Sequence, residues 1–181
     1  MNTRGAAPAG NGAARPAAFA LCAVLAVFFA VASAADKTLG TFNVWSAMTF
    51  DEDSEIVCMM WSQPEKSEGD YTRRGEIFVF VTHRPAGKEF NKVSFETGYT
   101  FKESSEVKVT IDAQTFTLYT DGSTAWGRND GDDKRMVTAM RAGRQMTMEG
   151  VSSRGTQTRD SYSLSGFTAA HNAINKTCKA Q

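Results

Sequence analysis

Histidine is scarce in this chain, two in 181 residues, and cysteine is limited to three. Metal centres need clustered ligands. His83 and His171 lie far apart in sequence, so each is expected to be a surface or packed residue rather than a ligand, and no metal or cofactor is expected. There is no CxxC pair, which removes dithiol redox chemistry. No glycine-rich phosphate loop is present. The nearest approach to a nucleophile elbow, Gly150-Val151-Ser152-Ser153-Arg154-Gly155, carries Arg154 in place of the second glycine of GxSxG and sits between two strand patterns, so no active serine is expected. Net charge is absent too: 20 basic residues balance 20 acidic ones, and nothing electrostatic points to nucleic acid or an anionic membrane as partner. The acidic run Asp51, Asp53, Glu55 has Ile56 where a calcium loop needs glycine, and Asn129-Asp130-Gly131-Asp132-Asp133 reads as a turn feeding a helix N-terminus, where carboxylates are favoured.

What is present begins with the first 34 residues. Arg4 and Arg15 precede any acid, an apolar run extends from Ala17 to Val31, and Ala32-Ser33-Ala34 offers small residues for cleavage. These are the three parts of a secretory leader, and the run is shorter than the ~20 residues of a membrane span. The expected division is a leader over residues 1–34 and one domain over residues 35–181, with no membrane span left after cleavage. Losing Arg4 and Arg15 leaves 18 basic against 20 acidic residues, a charge of −2. Cys22 leaves with the leader, so Cys58 and Cys178 remain, and in an oxidising compartment such a pair is expected as a disulfide, with two free buried thiols as the alternative.

Along the expected domain, Leu39 to Met48 reads as a first strand and the Asp51–Ser54 cluster as a turn into Ile56–Trp61. The segment from Ser62 to Gly75, rich in charge, Pro and Gly, reads as an exposed loop, and Glu76 to Thr82 as a central strand buried on both faces. Val93 and Phe95, then Val107, Val109 and Ile111, alternate with polar neighbours, as do Met146 and Met148 later, and Thr158 to Leu164 returns as a partner. Met136, Ala139 and Met140 predict a short helix near 132–142 that stops at Gly143. Phe167, Ala170, Ile174 and Cys178 predict a second helix near 165–178, with Ser165 as its cap and Cys178 facing the core. Seven or eight short strands without βαβ alternation predict a mainly all-β fold, a single antiparallel β-sandwich of immunoglobulin-like or jelly-roll type. Trp45, Trp61, Trp126 and the methionines are expected in the core.

Tyr71 beside Arg73-Arg74, together with Arg84 and Arg154 at predicted loop tips, forms the candidate binding surface, since a guanidinium presents a planar fork of donors to a carboxylate or a protein partner. Solvated loop charge is the plainer reading of the same residues.

The wording of three segments adds a resemblance. LGTFNVWSA, YTRRGEIFVFVTHRPAGKEFNKVSFETGYTF and SSRGTQTRDSYSLSGFTAAHNAI are similar to the invasion associated locus B family of exported α-proteobacterial proteins, most specifically at Tyr162–Ala170. The resemblance implies a periplasmic or surface-associated sandwich without catalytic residues. The leading expectation is a non-enzymatic periplasmic interaction module, motivated by the missing catalytic set and the disulfide-closed sandwich, with an unidentified protein partner in the cell envelope or on a host cell and a monomer by default. Family members carry further cysteines where this chain has Ala47-Met48 and the stretch around Trp126. A secreted host-invasion factor, or a ligand carrier or hydrolase with a site built from distant loops, are the alternative expectations, and outer-membrane association or secretion the alternative locations.

Overall fold

The computed structural model describes residues 36–180, and the expected leader lies outside them. Eleven strands and two helices follow in order: β1 (Lys37–Phe42), β2 (Trp45–Glu52), β3 (Glu55–Ser62), β4 (Lys66–Gly69), β5 (Phe78–Arg84), β6 (Glu89–Glu96), β7 (Glu106–Ile111), β8 (Gln114–Asp121), β9 (Thr124–Trp126), α1 (Asp130–Ala142), β10 (Gln145–Val151), β11 (Gln157–Ser163) and α2 (Phe167–Cys178). The strands form one antiparallel ladder, β1-β2-β3-β5-β6-β9-β8-β7-β10-β11-β4. The three-residue β9 joins its two halves by pairing with β6 on one side and β8 on the other.

The two halves face each other. Trp45 of β2 donates its indole N–H to the Ser163 carbonyl of β11 (3.1 Å), and Phe95 of β6 meets Tyr162 of β11 edge-on at 6.0 Å. Strands so far apart in the ladder touch only if the sheet turns back over itself, which gives the expected sandwich as one continuous sheet. The alternation legible in the sequence supplies the interior: Val107, Val109, Ile111, Met146, Met148 and Tyr162 are all buried. Trp45 is fully buried, whereas Trp61 and Trp126 are only half-buried.

Several elements differ from expectation for local reasons. Leu39–Met48 is not one strand but the β1–β2 hairpin, because Asn43 takes a left-handed backbone (φ 53°) and turns the chain. The Ser62–Gly75 segment contains β4, a short polar edge strand on β11 whose composition carries no alternation. β5 is interior to the sheet, but Phe78 and Phe80 on its outer face are half-buried and pack on each other at 5.5 Å.

Asn129 caps α1, its side chain accepting from the Asp132 N–H at 3.0 Å, with three aspartates in the first turn. α2 begins at Phe167 rather than at Ser165. Its N-cap is Gly166 (φ 93°), where a Cβ would lie 1.8 Å from the Phe42 carbonyl oxygen, so no other residue lets the helix start this close to the β1–β2 turn. Ser165 instead accepts from the Asn43 amide. The last residue of α2 closes the disulfide Cys58–Cys178 across 120 residues, with Cα atoms 6.1 Å apart.

Candidate functional site

Four of the five arginine-and-tyrosine candidates come together. The segment between β4 and β5 crosses the β6–β7 connection where the Gly75 N–H donates to the Gly98 carbonyl at 2.9 Å. Gly98 has φ 69°, and a Cβ there would lie 2.5 Å from the Gly75 carbonyl carbon, so glycine permits the crossing. The crossing sets Arg74 inward. Its Nε donates to the Thr97 carbonyl (2.7 Å), and Nη1 and Nη2 donate to the two carboxylate oxygens of Asp160 on β11 at 2.8 and 2.6 Å. The pair is buried, the Arg74 side chain 4% exposed and that of Asp160 0%. Burial alone would lower the Arg74 pKa, but the hydrogen bonds and charge of Asp160 outweigh it and hold arginine above its ordinary value. The guanidinium also lies 4.9 Å from the Tyr99 ring centroid and 5.5 Å from that of Tyr71.

Above this floor is a cavity of about 510 Å³ whose walls include Tyr71, Arg73, Tyr99, Ser153 and Arg154. The β10–β11 turn that carries Arg154 is tied to the β6–β7 connection by Ser153 N–H to the Thr100 carbonyl (2.8 Å) and closed on itself by bonds that include Thr156 N–H to Ser152 Oγ (3.1 Å) and Ser152 N–H to the Thr156 carbonyl (2.9 Å). Ser152 is therefore buried and spent on its own turn. Arg73 and Arg154 are exposed, and neither has an ion-pair partner among the described residues. Among the described residues Asp70 is the one carboxylate on the cavity wall. The opening thus holds two free guanidinium forks, hydroxyls and an aromatic face, a set suited to a carboxylate carried on a larger molecule.

Two candidates are corrected. Arg74 is not a surface group but the floor that shapes the cavity. Arg84 lies outside it, donating through Nε to Glu52 Oε2 at 2.8 Å, and that bond keeps the Glu52 carboxyl below its ordinary pKa. Sequence reading missed Tyr99, Ser153 and the Asp160 partner, since none carries a local signal. It also missed the meeting of His83 and His171, whose ring centroids are 5.8 Å apart, both residues buried. Asn129–Asp133 serves the start of α1, and Asp133, 2% exposed, accepts from the Val93 N–H at 3.3 Å. Burial raises the Asp133 carboxyl above its ordinary pKa despite that bond.

The family model described as "Invasion associated locus B (IalB) protein" matches residues 45–175. Among solved structures, the crystal structure of invasion associated protein b from Bartonella henselae matches with a TM-score of 0.56 at 20% identity, covering 78% of this chain and 97% of that one. At that identity the likeness speaks to the fold. No curated protein matches.

Proposed function

Starting from a chain that belongs to the invasion associated locus B family, we propose that it acts after export as a non-enzymatic interaction module in the periplasm, holding a carboxylate-bearing segment of a partner protein in the loop cavity. The observation that carries this reading is the pair of exposed, unpaired guanidinium groups of Arg73 and Arg154 over a floor made rigid by Arg74–Asp160. A rigid rim lowers the ordering cost of binding, and arginine and tyrosine are the residue types that anchor protein contacts. Export is supported by the leader-like residues 1–34 and by a disulfide that an oxidising compartment would maintain.

The test is site-directed cross-linking in intact cells from positions on the cavity rim, comparing the parent protein with an Arg73→Glu/Arg154→Glu variant. A defined cross-linked partner that disappears in the variant, at unchanged melting temperature, is the expected result. A parent protein that cross-links to nothing, or a partner retained by the charge-reversed variant, overturns the reading. Fractionation separates the locations, because recovery of the protein from the medium would favour a secreted factor instead.

A further inference from the structure

The two histidines occupy a closed circuit of hydrogen bonds whose direction can be deduced. β5 and β6 pair irregularly between Thr82 and Arg84, and in the resulting bulge Asn91 adopts a left-handed backbone (φ 60°). This turns the Asn91 backbone N–H onto Nδ1 of His83 at 2.9 Å. A backbone N–H can only donate, so this Nδ1 accepts and the proton of His83 sits on Nε2. That Nε2–H donates to Asn175 Oδ1 of α2 at 2.7 Å. The amide nitrogen of Asn175 is then aimed at Nδ1 of His171 (3.2 Å), which also receives a bond from Nη1 of Arg141 on α1 at 2.9 Å. Arginine has no acceptor, so His171 too is the neutral Nε2–H tautomer, and its Nε2 donates to Asn91 Oδ1 at 2.7 Å. The circuit runs Asn91, His83, Asn175, His171 and back to Asn91, joining the bulge to α2.

We propose that this circuit is an acid-operated latch between α2 and the β5–β6 bulge, closed while both imidazoles are neutral and opened by proton uptake at His171. A proton on Nδ1 of His171 would face two donors, Arg141 and Asn175, with no acceptor beside it among the described residues. Flipping the Asn175 amide only moves the conflict, because its NH₂ would then meet Nε2–H of His83. His83 cannot reverse in turn while the Asn91 N–H holds its Nδ1, although the Thr82 carbonyl, 3.2 Å away, would tolerate a proton there. His171 is therefore the sensitive member.

The charges around the circuit push the same way. From α1 come Arg141 and Lys134, from β5 comes His83, and from β3 the partner is Cys58, held in the disulfide. On β6 the neighbouring Lys92 is turned to Asp130 and Asp133, so those carboxylates are engaged elsewhere, and Lys176 of α2 is exposed. Burial, then the neighbouring His83 and Arg141, bring the His171 pKa down to about 4, and burial lowers that of His83. Protons have a route in: a surface hollow of about 410 Å³ is lined by Asn91, Lys134, Arg141, His171 and Asn175. Opening stays local because the Cys58–Cys178 bridge tethers one end of α2, while Phe167, edge-on to Trp45 at 4.9 Å, anchors the other.

The chain has only two histidines, so nitrogen-15 NMR of histidine-labelled protein reads the latch directly. Both rings are expected as Nε2–H tautomers at pH 7, with His171 titrating well below the ordinary histidine value of ~6.5. The Asn91 amide reports opening by hydrogen exchange. Its opening constant should grow about tenfold per pH unit as pH falls from roughly 6.5 towards 4, after correction for intrinsic exchange, while β10–β11 amides stay unchanged. An Nδ1–H tautomer at either ring, a His171 midpoint at or above 6.5, or flat Asn91 opening overturns the proposal. An Asn175→Asp variant supplies the second arm. A carboxylate between the rings accepts from both, so the His171 midpoint should rise by more than one unit and acid opening should vanish from that window; an unaltered titration overturns the latch.

Discussion

At the scale of single residues, Arg73 and Arg74 are the instructive pair. They are adjacent and chemically identical, yet one is exposed on the cavity rim and the other is buried. What separates them is Asp160, 86 positions further along the chain, which offers Arg74 two carboxylate oxygens. Removing one partner of such a pair leaves an uncompensated buried charge. Arg74→Met is therefore expected to lower the unfolding free energy by about 3–5 kcal/mol in urea titration, whereas Arg74→Met/Asp160→Leu should regain much of the loss. A single variant within 1 kcal/mol of the parent would mean that the pair adds little to stability.

At the scale of elements, α2 depends on its two ends. Its apolar stripe of Phe167, Ala170, Ile174 and Cys178 was plain in the sequence, because a period near 3.6 is a local property. Its start was not: Gly166 is required by the Phe42 carbonyl, a contact made across the whole domain. At the other end the disulfide closes a loop of 120 residues. A loop of that order adds about 4–5 kcal/mol by restricting the unfolded chain. Cys58→Ser should thus lower the melting temperature by roughly 10 °C or more in a non-reducing calorimetric scan, and reductant should then have no further effect. An unchanged melt would show that the bridge is idle. The edge strand β4 makes the opposite point to the α2 stripe. Its four residues, Lys66 to Gly69, carry no apolar period, and only the open edge of β11 gives them a place.

At the scale of the whole molecule, the buried histidines set the pH response. His171 has a folded pKa of about 4 against an unfolded value near 6.5, so between these limits the unfolded chain binds more protons. Its stabilising contribution is complete above pH 6.5 and is lost as pH falls towards 4, on the order of 3 kcal/mol, with His83 adding in the same direction. Asp133, whose pKa is raised, works oppositely, since the folded state takes up its proton first. Urea midpoints measured from pH 7.5 to 4 should fall most steeply below pH 6.5, and a midpoint that held level over that range would contradict the neutral, buried state of the pair. Legible in the amino-acid order alone were the strand alternation, the apolar faces of both helices, the acidic first turn of α1 and the candidate pair Cys58 and Cys178, because each follows from neighbours or from composition; the Asn129 cap and the start of α1 at Asp130, ahead of the expected 132, were not. The fold in three dimensions settled that Arg74 is a floor while Arg73 and Arg154 form a rim, and that His83 meets His171. Those outcomes depend on how one continuous sheet folds back upon itself and which distant strands it brings face to face, and no local period encodes that.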